Sequence, residues 1–213
     1  MNNIADIRKD YMLKSFTETA AAQDAITQFT AWWKDAISSE IDEVNALTLA
    51  TATKEGKPSA RIVLLKGYDE NGFVFFTNYN SHKGQELAVN PQACMVFFWK
   101  ELERQVKIEG SIEKVSEQES DDYYFSRPIG SQVGAWCSPQ STVIASRNII
   151  EENVKKYEAQ FAASPITRPA HWGGYRLKPQ LFEFWQGRPS RLHDRLQYTL
   201  QPDGNWKIER LAP

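Results

Sequence analysis

The chain has 213 residues, with 25 Lys and Arg against 27 Asp and Glu, 41% hydrophobic and 24% charged residues, and a formal net charge of −2. That is the balance of a soluble globular protein, long enough to bury one core without a disulfide or metal staple. The slight negative charge argues against a general nucleic-acid binder but leaves room for local basic clusters that hold a small anion.

Met1–Tyr11 is polar and lacks the apolar run of a secretory leader, and no stretch is apolar enough to cross a bilayer. A reduced, cytoplasmic protein with no membrane partner is expected. Residues 1–22 read as a loosely held arm ahead of a single domain. Asp24 can cap a helix whose apolar face is Ile26, Phe29, Trp33 and Ile37. The pattern then turns to strands: Ala46–Thr53, a turn at Lys54–Pro58, Ser59–Tyr68, a hairpin turn at Asp69–Gly72, and Phe73–Asn78.

Ser81 should open a short helix that stops at Asn90-Pro91. Cys94–Trp99 is apolar at every position and reads as a strand buried on both faces, with Cys94 in the core. Gln105–Val115 alternates, with Val106, Ile108 and Ile112 on one face. Ser116-x-x-Glu119 is a capping box opening a helix with Tyr123 and Tyr124; Pro128 should end it, leaving Ser131 in a loop. A longer helix carries Ile150, Val154, Tyr157 and Phe161. Strands follow at Gly174–Leu177, Leu181–Gln186, Arg191–Leu200 and Trp206–Leu211, with a turn at Pro202-Asp203-Gly204. Successive strands with short turns favour a mainly β, antiparallel, Greek-key-like sheet or barrel with peripheral helices (α+β) over a doubly wound sheet. No glycine-rich nucleotide fingerprint follows a strand.

Several segments could carry chemistry. His82 and Lys83 fall in the first turn of the helix capped by Ser81, where the dipole disfavours cations and an anion would suit. The alternative is a solvated surface. Arg61 and Lys66 bracket four aliphatic residues, and their odd separation puts them on opposite faces of a strand unless a bulge intervenes. Tyr123 and Arg127 share a helix face, and with Ser131 they would suit a phosphate monoester. In an extended segment Arg191, His193 and Arg195 point to one face, a cationic cluster in want of a ligand, while Leu192 and Asp194 point away. In a helix that cluster would scatter. Trp185 is either core or a platform beside a ring system. Three histidines, at 82, 171 and 193, and two cysteines, at 94 and 137, show no metal-ligand spacing, so no metal is expected.

Read together, these runs resemble the pyridoxine/pyridoxamine 5′-phosphate oxidase family. The resemblance is carried by Arg61–Lys66, Glu103-Arg104-Gln105-Val106, Ser126-Arg127-Pro128, Ser131–Trp136, Ser138–Ser141, His171–Arg176, Phe184–Gly187, Arg191–Arg195 and Trp206–Pro213. It implies an FMN-binding split β-barrel and a homodimer with FMN at the subunit interface. The implied activity is oxidation of pyridoxamine 5′-phosphate or pyridoxine 5′-phosphate by O2, a step in vitamin B6 biosynthesis and salvage. Its products would be pyridoxal 5′-phosphate and hydrogen peroxide, with ammonia from the amine.

By the same resemblance, FMN contacts fall on Arg61, Ile62, Val63, Leu64, Leu65, Lys66, Phe76, Thr77, His82, Lys83, Gln105, Gln140, Ser141, Trp185 and Arg195. The family's Arg-Lys pair is His82-Lys83 here. Substrate contacts fall on Arg8, Lys9, Asp10, Tyr11, Lys66, Tyr123, Arg127, Ser131, Arg191, Leu192 and His193, with Arg191 and His193 at the reacting end. Rival readings are a split-barrel reductase linked to F420 or nicotinamide, a non-catalytic flavin or vitamer carrier, and a barrel for single-stranded nucleic acid. The reductase need not keep the Tyr123, Arg127 and Ser131 set, and a carrier would not need Arg191 and His193.

Overall fold

The computed structural model describes residues 3–4 and 10–213. Asp24 starts the first helix as expected: its carboxylate accepts the Thr27 amide at 2.7 Å and caps α1 (Ala25–Ser38). The buried face is rotated from the expected one. Ala25, Gln28, Phe29, Trp32 and Ala36 are buried, whereas Ile37 is 53% exposed. Trp32 takes the inward position because Phe16 and Phe184 offer ring contacts at 5.0 and 5.3 Å. Within residues 12–22, Met12, Leu13 and Phe16 have fixed partners. Phe16 is buried, its amide donates to Asp194 Oδ2 at 3.0 Å, and the Glu103 carboxylate accepts the amides of Met12 and Leu13.

Strand β1 (Ala46–Ala52) leads through a turn to β2 (Pro58–Leu64). The single strand expected over Ser59–Tyr68 is broken: Leu65 turns into the core, the Lys66 amide bonds Val74 at 2.9 Å, and β3 (Gly67–Asp69) begins separately. β3 and β4 (Gly72–Asn78) form the expected hairpin, in which Asp69 Oδ1 accepts the amides of Asn71 and Gly72. Ser81 caps α2 (His82–Val89), which stops before Pro91 as expected. β5 (Gln92–Trp99) is buried on one face only. Ala93, Met95, Phe97 and Trp99 point inward, Phe98 is 54% exposed, and Cys94 is half-buried rather than core.

β6 (Arg104–Lys114) buries Val106, Ile108 and Ile112 as its alternation requires. Ser116 caps α3 (Glu117–Ser126) by accepting the Glu119 amide at 3.0 Å, while the Glu119 carboxylate turns to Arg176 at 3.2 Å. Ser131 lies in a further helix, α4 (Ile129–Cys137), not in a loop. Pro128, at φ −53, ends one helix and pre-sets the next. Tyr157 and Phe161 of α5 (Asn148–Ala163) meet Trp136 of α4 at 5.6 and 5.7 Å.

The strand order is β2-β1-β5-β6-β7-β4-β3, with β8 (Asp194–Leu200) on β7 and β9 (Trp206–Arg210) on β8. β7 (Trp172–Gln186) is one strand of 15 residues where two were expected. Its residues 172–177 pair with β4 and 181–186 with β8, so Pro179 falls between the two ladders, where a missing N–H costs least.

The sequence reads as one domain; the chain divides into two compact units, each assembled from separate segments. The first is Met1–Leu49, Cys94–Gly110 and Pro179–Pro213, and the second is Ala50–Ala93 and Ser111–Lys178. The first is centred on Phe29, Trp32, Leu47, Phe97, Phe184 and Tyr198, the second on Phe73, Phe75, Leu87, Tyr124, Tyr175 and Leu177. Among the described residues no helix is long and apolar enough to cross a membrane, and no group of three His, Cys, Asp or Glu side chains is placed to hold a metal.

Candidate active site

The second unit holds a cavity of about 440 Å³. β2 lends it Ile62, Val63 and Leu64, the break after β2 lends Lys66, and β4 lends Phe76 and Thr77. Lys83 comes from the first turn of α2, Tyr123 from α3, Arg127 from the junction, Ser131 from α4, and Gln140 from the loop beyond. The expected phosphate set of Lys66, Tyr123, Arg127 and Ser131 therefore shares one cavity.

Three rings form its wall. Phe76 stacks on Tyr123 at 4.0 Å and on Trp172 at 5.6 Å. The β4–β7 register sets Gly174 opposite Phe76. A Cβ on Gly174 would lie 2.8 Å from Phe76 Cε1 and 2.6 Å from Val115 Cγ2, so only glycine leaves space for that ring. Arg127 lies over Trp172 at 4.6 Å, and Lys66 over Tyr123 at 5.9 Å.

The Arg127 guanidinium has a buried Nη1 without a hydrogen-bond partner. Burial holds its pKa below the ordinary value, and the phenols of Tyr123 and Tyr124 only partly restore it. A desolvated, unpaired donor in a cavity is a place for an anionic oxygen. Lys83 Nζ approaches Thr77 Oγ1 at 3.3 Å and Gln140 Oε1 at 3.4 Å. Its pKa too is lowered, first by burial and then by the charge of Arg61. A lysine beside a capped helix N-terminus suits a phosphate, and the ring wall suits a flat heteroaromatic group.

Other expected contacts lie elsewhere in this unit. Arg61 and His82 turn to the buried carboxylate of Glu86: Arg61 Nη2 is 3.3 Å from Oε2 and His82 Nε2 is 3.1 Å from Oε1. Thr51 and Ser59 also donate to Oε2. Burial pushes the Glu86 carboxyl up, but the bonds from Ser59 and Thr51 and the charges of His82 and Arg61 outweigh it and leave it below the ordinary value. Leu65 is core, and Ser141 is exposed at φ 70. Sequence reading missed Trp172 and Glu86. The tryptophan beside a Gly-Gly pair and the acid four residues after His82 were the available signals.

The remaining expected residues lie in the first unit. Arg8 and Lys9 are outside the described residues, and Asp10 is exposed. Tyr11 sits edge-on to Trp185 at 5.6 Å and to His193 at 5.9 Å, and Trp185 meets His193 at 4.6 Å. The single-face cluster of Arg191, His193 and Arg195 does not form. Residues 189–191 make a 3-10 turn with Ser190 and Arg191 at φ 56 and 62, β8 starts only at Asp194, and Arg191 and Leu192 are exposed. Arg195 pairs with the buried Glu183 at 2.7 Å, and Gln105 is half-buried on β6. The Arg188 amide donates to His193 Nδ1 at 3.1 Å, so the neutral ring carries its proton on Nε2. Burial, then the charges of Arg191 and Arg195, lower its pKa.

The antiparallel strand order with its flanking helices is that of the split-barrel class, which the solved structures named below share. Residues 33–161 match the family described as pyridoxamine 5′-phosphate oxidase, and residues 172–213 match the pyridoxine 5′-phosphate oxidase C-terminal dimerisation region. A pyridoxine/pyridoxamine 5′-phosphate oxidase of Trichormus variabilis is 56% identical over 99% of this chain and 98% of its own length. Pyridoxine/pyridoxamine 5′-phosphate oxidase 1 of Ralstonia nicotianae is 57% identical over the full length of both. Among solved structures, PhzG of Burkholderia lata in complex with tetrahydrophenazine-1-carboxylic acid superposes with a TM-score of 0.84 at 31% identity, covering 90% of this chain and 94% of its own. A pyridoxamine 5′-phosphate oxidase-related, FMN-binding protein of Nostoc punctiforme shares the fold, with a TM-score of 0.70 at 16% identity over 90% of this chain and all of its own. The chain belongs to the pyridoxine/pyridoxamine 5′-phosphate oxidase family.

Proposed function

We propose that the protein oxidises pyridoxamine 5′-phosphate, with O2 and water, to pyridoxal 5′-phosphate, ammonia and hydrogen peroxide, and pyridoxine 5′-phosphate, with O2, to the same aldehyde and peroxide. It does so as a homodimer with FMN at the subunit interface. The observation that carries the reading is the buried, unpartnered Arg127 Nη1 in a cavity shared with Lys66, Tyr123 and Ser131. A phosphate monoester supplies the oxygens this set lacks. The identity of 57% to an oxidase, against 31% to the phenazine protein, favours the vitamer phosphates as substrates.

The residues fit FMN as cofactor: a helix N-terminus with half-buried Lys83, Thr77 and Gln140 suits its phosphate, and Phe76 offers an aromatic wall. When bound, FMN supplies the hydride acceptor that O2 then regenerates. In the second unit the family resemblance assigns Arg61, held by Glu86, the strand residues Ile62, Val63, Leu64 and Leu65, and His82 and Ser141 to the cofactor; in the first unit it assigns Gln105, Trp185 and Arg195. Arg191, Leu192, His193, Tyr11 and the rest of Arg8–Asp10 belong to the substrate side.

His193 acts there as a hydrogen-bond donor through Nε2 and not as a base, because its Nδ1 lone pair is already taken by the Arg188 amide. Its role is to orient the substrate's reacting carbon beside Arg191. Purified protein should show a flavin spectrum and consume oxygen on addition of pyridoxamine 5′-phosphate. Bound flavin without oxygen uptake on either vitamer phosphate would defeat the oxidase reading and leave the fold intact.

A further inference from the structure

The run Glu103-Arg104-Gln105-Val106 contains a buried acid with no part in the chemistry so far. Glu103 is 3% exposed and holds its backbone in the left-handed region at φ 54, a conformation non-glycine residues adopt only when their surroundings fix it. Its carbonyl accepts the Gly187 amide at 2.7 Å and Gln186 Nε2 at 3.2 Å, which ties it to the end of β7. Its carboxylate faces the other way. Oε2 accepts two consecutive arm amides, Met12 at 2.9 Å and Leu13 at 3.1 Å. Hydrogen bonds to a charged acceptor offset the cost of burying it, so the acid and the arm hold each other.

The consequence falls on Tyr11, the residue before the clasped pair. Its ring rests against Trp185 and His193. Gly187 is the seat: a Cβ there would lie 2.7 Å from Tyr11 Cγ and 3.0 Å from Glu103 Cβ. A small residue, a buried acid and two backbone donors thus fix one side chain beside His193. We propose that Glu103 is a positioning residue whose carboxylate clasps the arm at residues 12–13 and so makes Tyr11 a wall of the site around His193. What that wall does for turnover rests on the proposed function; the clasp itself does not.

The test uses the FMN-loaded enzyme, with hydrogen–deuterium exchange and steady-state kinetics on pyridoxamine 5′-phosphate. Glu103→Ala removes both bonds to the arm; it should speed exchange in residues 10–16 and raise KM about tenfold through the loosened Tyr11. The loss in kcat should be smaller and the flavin content unchanged. Glu103→Gln keeps a carbonyl oxygen able to accept both amides, without the charge, and should recover about half of the lost protection and KM. Met12→Pro removes one donor at a residue that is 75% exposed, leaving the buried acid in place, and should raise KM as Glu103→Ala does.

Faster exchange in Glu103→Ala with a wild-type KM would overturn the positioning role. An equal KM rise in Glu103→Gln would point to charge rather than the clasp, and a protected arm in Glu103→Ala would remove the clasp altogether. If the wild-type enzyme turns over neither vitamer phosphate, the proposed function fails while the exchange comparison still decides the clasp.

Discussion

Replacing Arg127 with alanine separates binding from stability, because the two effects have opposite signs. Without ligand, the variant loses the contact with Trp172, about 0.5–1 kcal/mol for a cation over a ring. It also removes a buried donor that has no partner, a defect that costs about 1–3 kcal/mol. The ligand-free melting temperature should therefore hold or rise. With substrate, the variant loses charge-assisted hydrogen bonds of about 1.5–3 kcal/mol, so KM should rise about 10- to 100-fold. The fall in kcat should be smaller, because the phosphate group is remote from the bond that reacts. Oxygen uptake against pyridoxamine 5′-phosphate concentration gives the kinetic half, and differential scanning fluorimetry with and without inorganic phosphate gives the other. A KM within about twofold of wild type, or a ligand-free variant melting several degrees lower, would refute the assignment of Arg127 to an anion subsite.

Three further expectations are independent of that one. Nitrogen-15 NMR of the holoenzyme at neutral pH should find His193 with Nδ1 bare and Nε2 protonated; a protonated Nδ1 would contradict the Arg188 cap. Because the folded pKa of His193 lies below its unfolded value, its contribution to stability is present above the unfolded pKa near 6.5 and is lost as pH falls from there toward the folded pKa. A His193→Gln variant should show a flatter melting profile in that acid window. Gly174→Ala drives a methyl against Phe76 and Val115, an overpacking that should cost about 1–3 kcal/mol and lower the melting temperature and flavin retention together; a variant as stable as wild type would mean the ring wall yields freely.

Local rules were legible where local chemistry decides. Ser81 and Asn90-Pro91 bounded α2, Asp69–Gly72 fixed a hairpin, and the alternation of Val106, Ile108 and Ile112 predicted which face of β6 is buried. The misses came from tertiary choices. Ile37 lost its inward place because Trp32 had Phe16 and Phe184 to meet. Pro179 looked like a strand end because its tolerance depends on β7 changing partners beside it. Arg191 left the strand through positive φ at two non-glycine residues, which composition does not signal. That Tyr123, Arg127 and Ser131 could share a cavity was legible from residue types and spacing, while Lys66 joined them through the family resemblance alone. Glu103 was not, and Glu86 only through its place four residues after His82, since a buried acid looks like any surface acid until its partners converge on it.

Glu86 also changes how an anion would meet this protein. Arg61 already has a resident counter-ion, one that is part of the chain and cannot diffuse away, and His82 Nε2 lies 3.1 Å from the same carboxylate. Among the described residues around α2, Lys83 has no carboxylate partner and instead faces hydroxyl and amide oxygens. A phosphate meeting the start of α2 would be selected by the donors at a helix end and by the Lys83 ammonium, and not by the Arg61 charge, which the chain already answers.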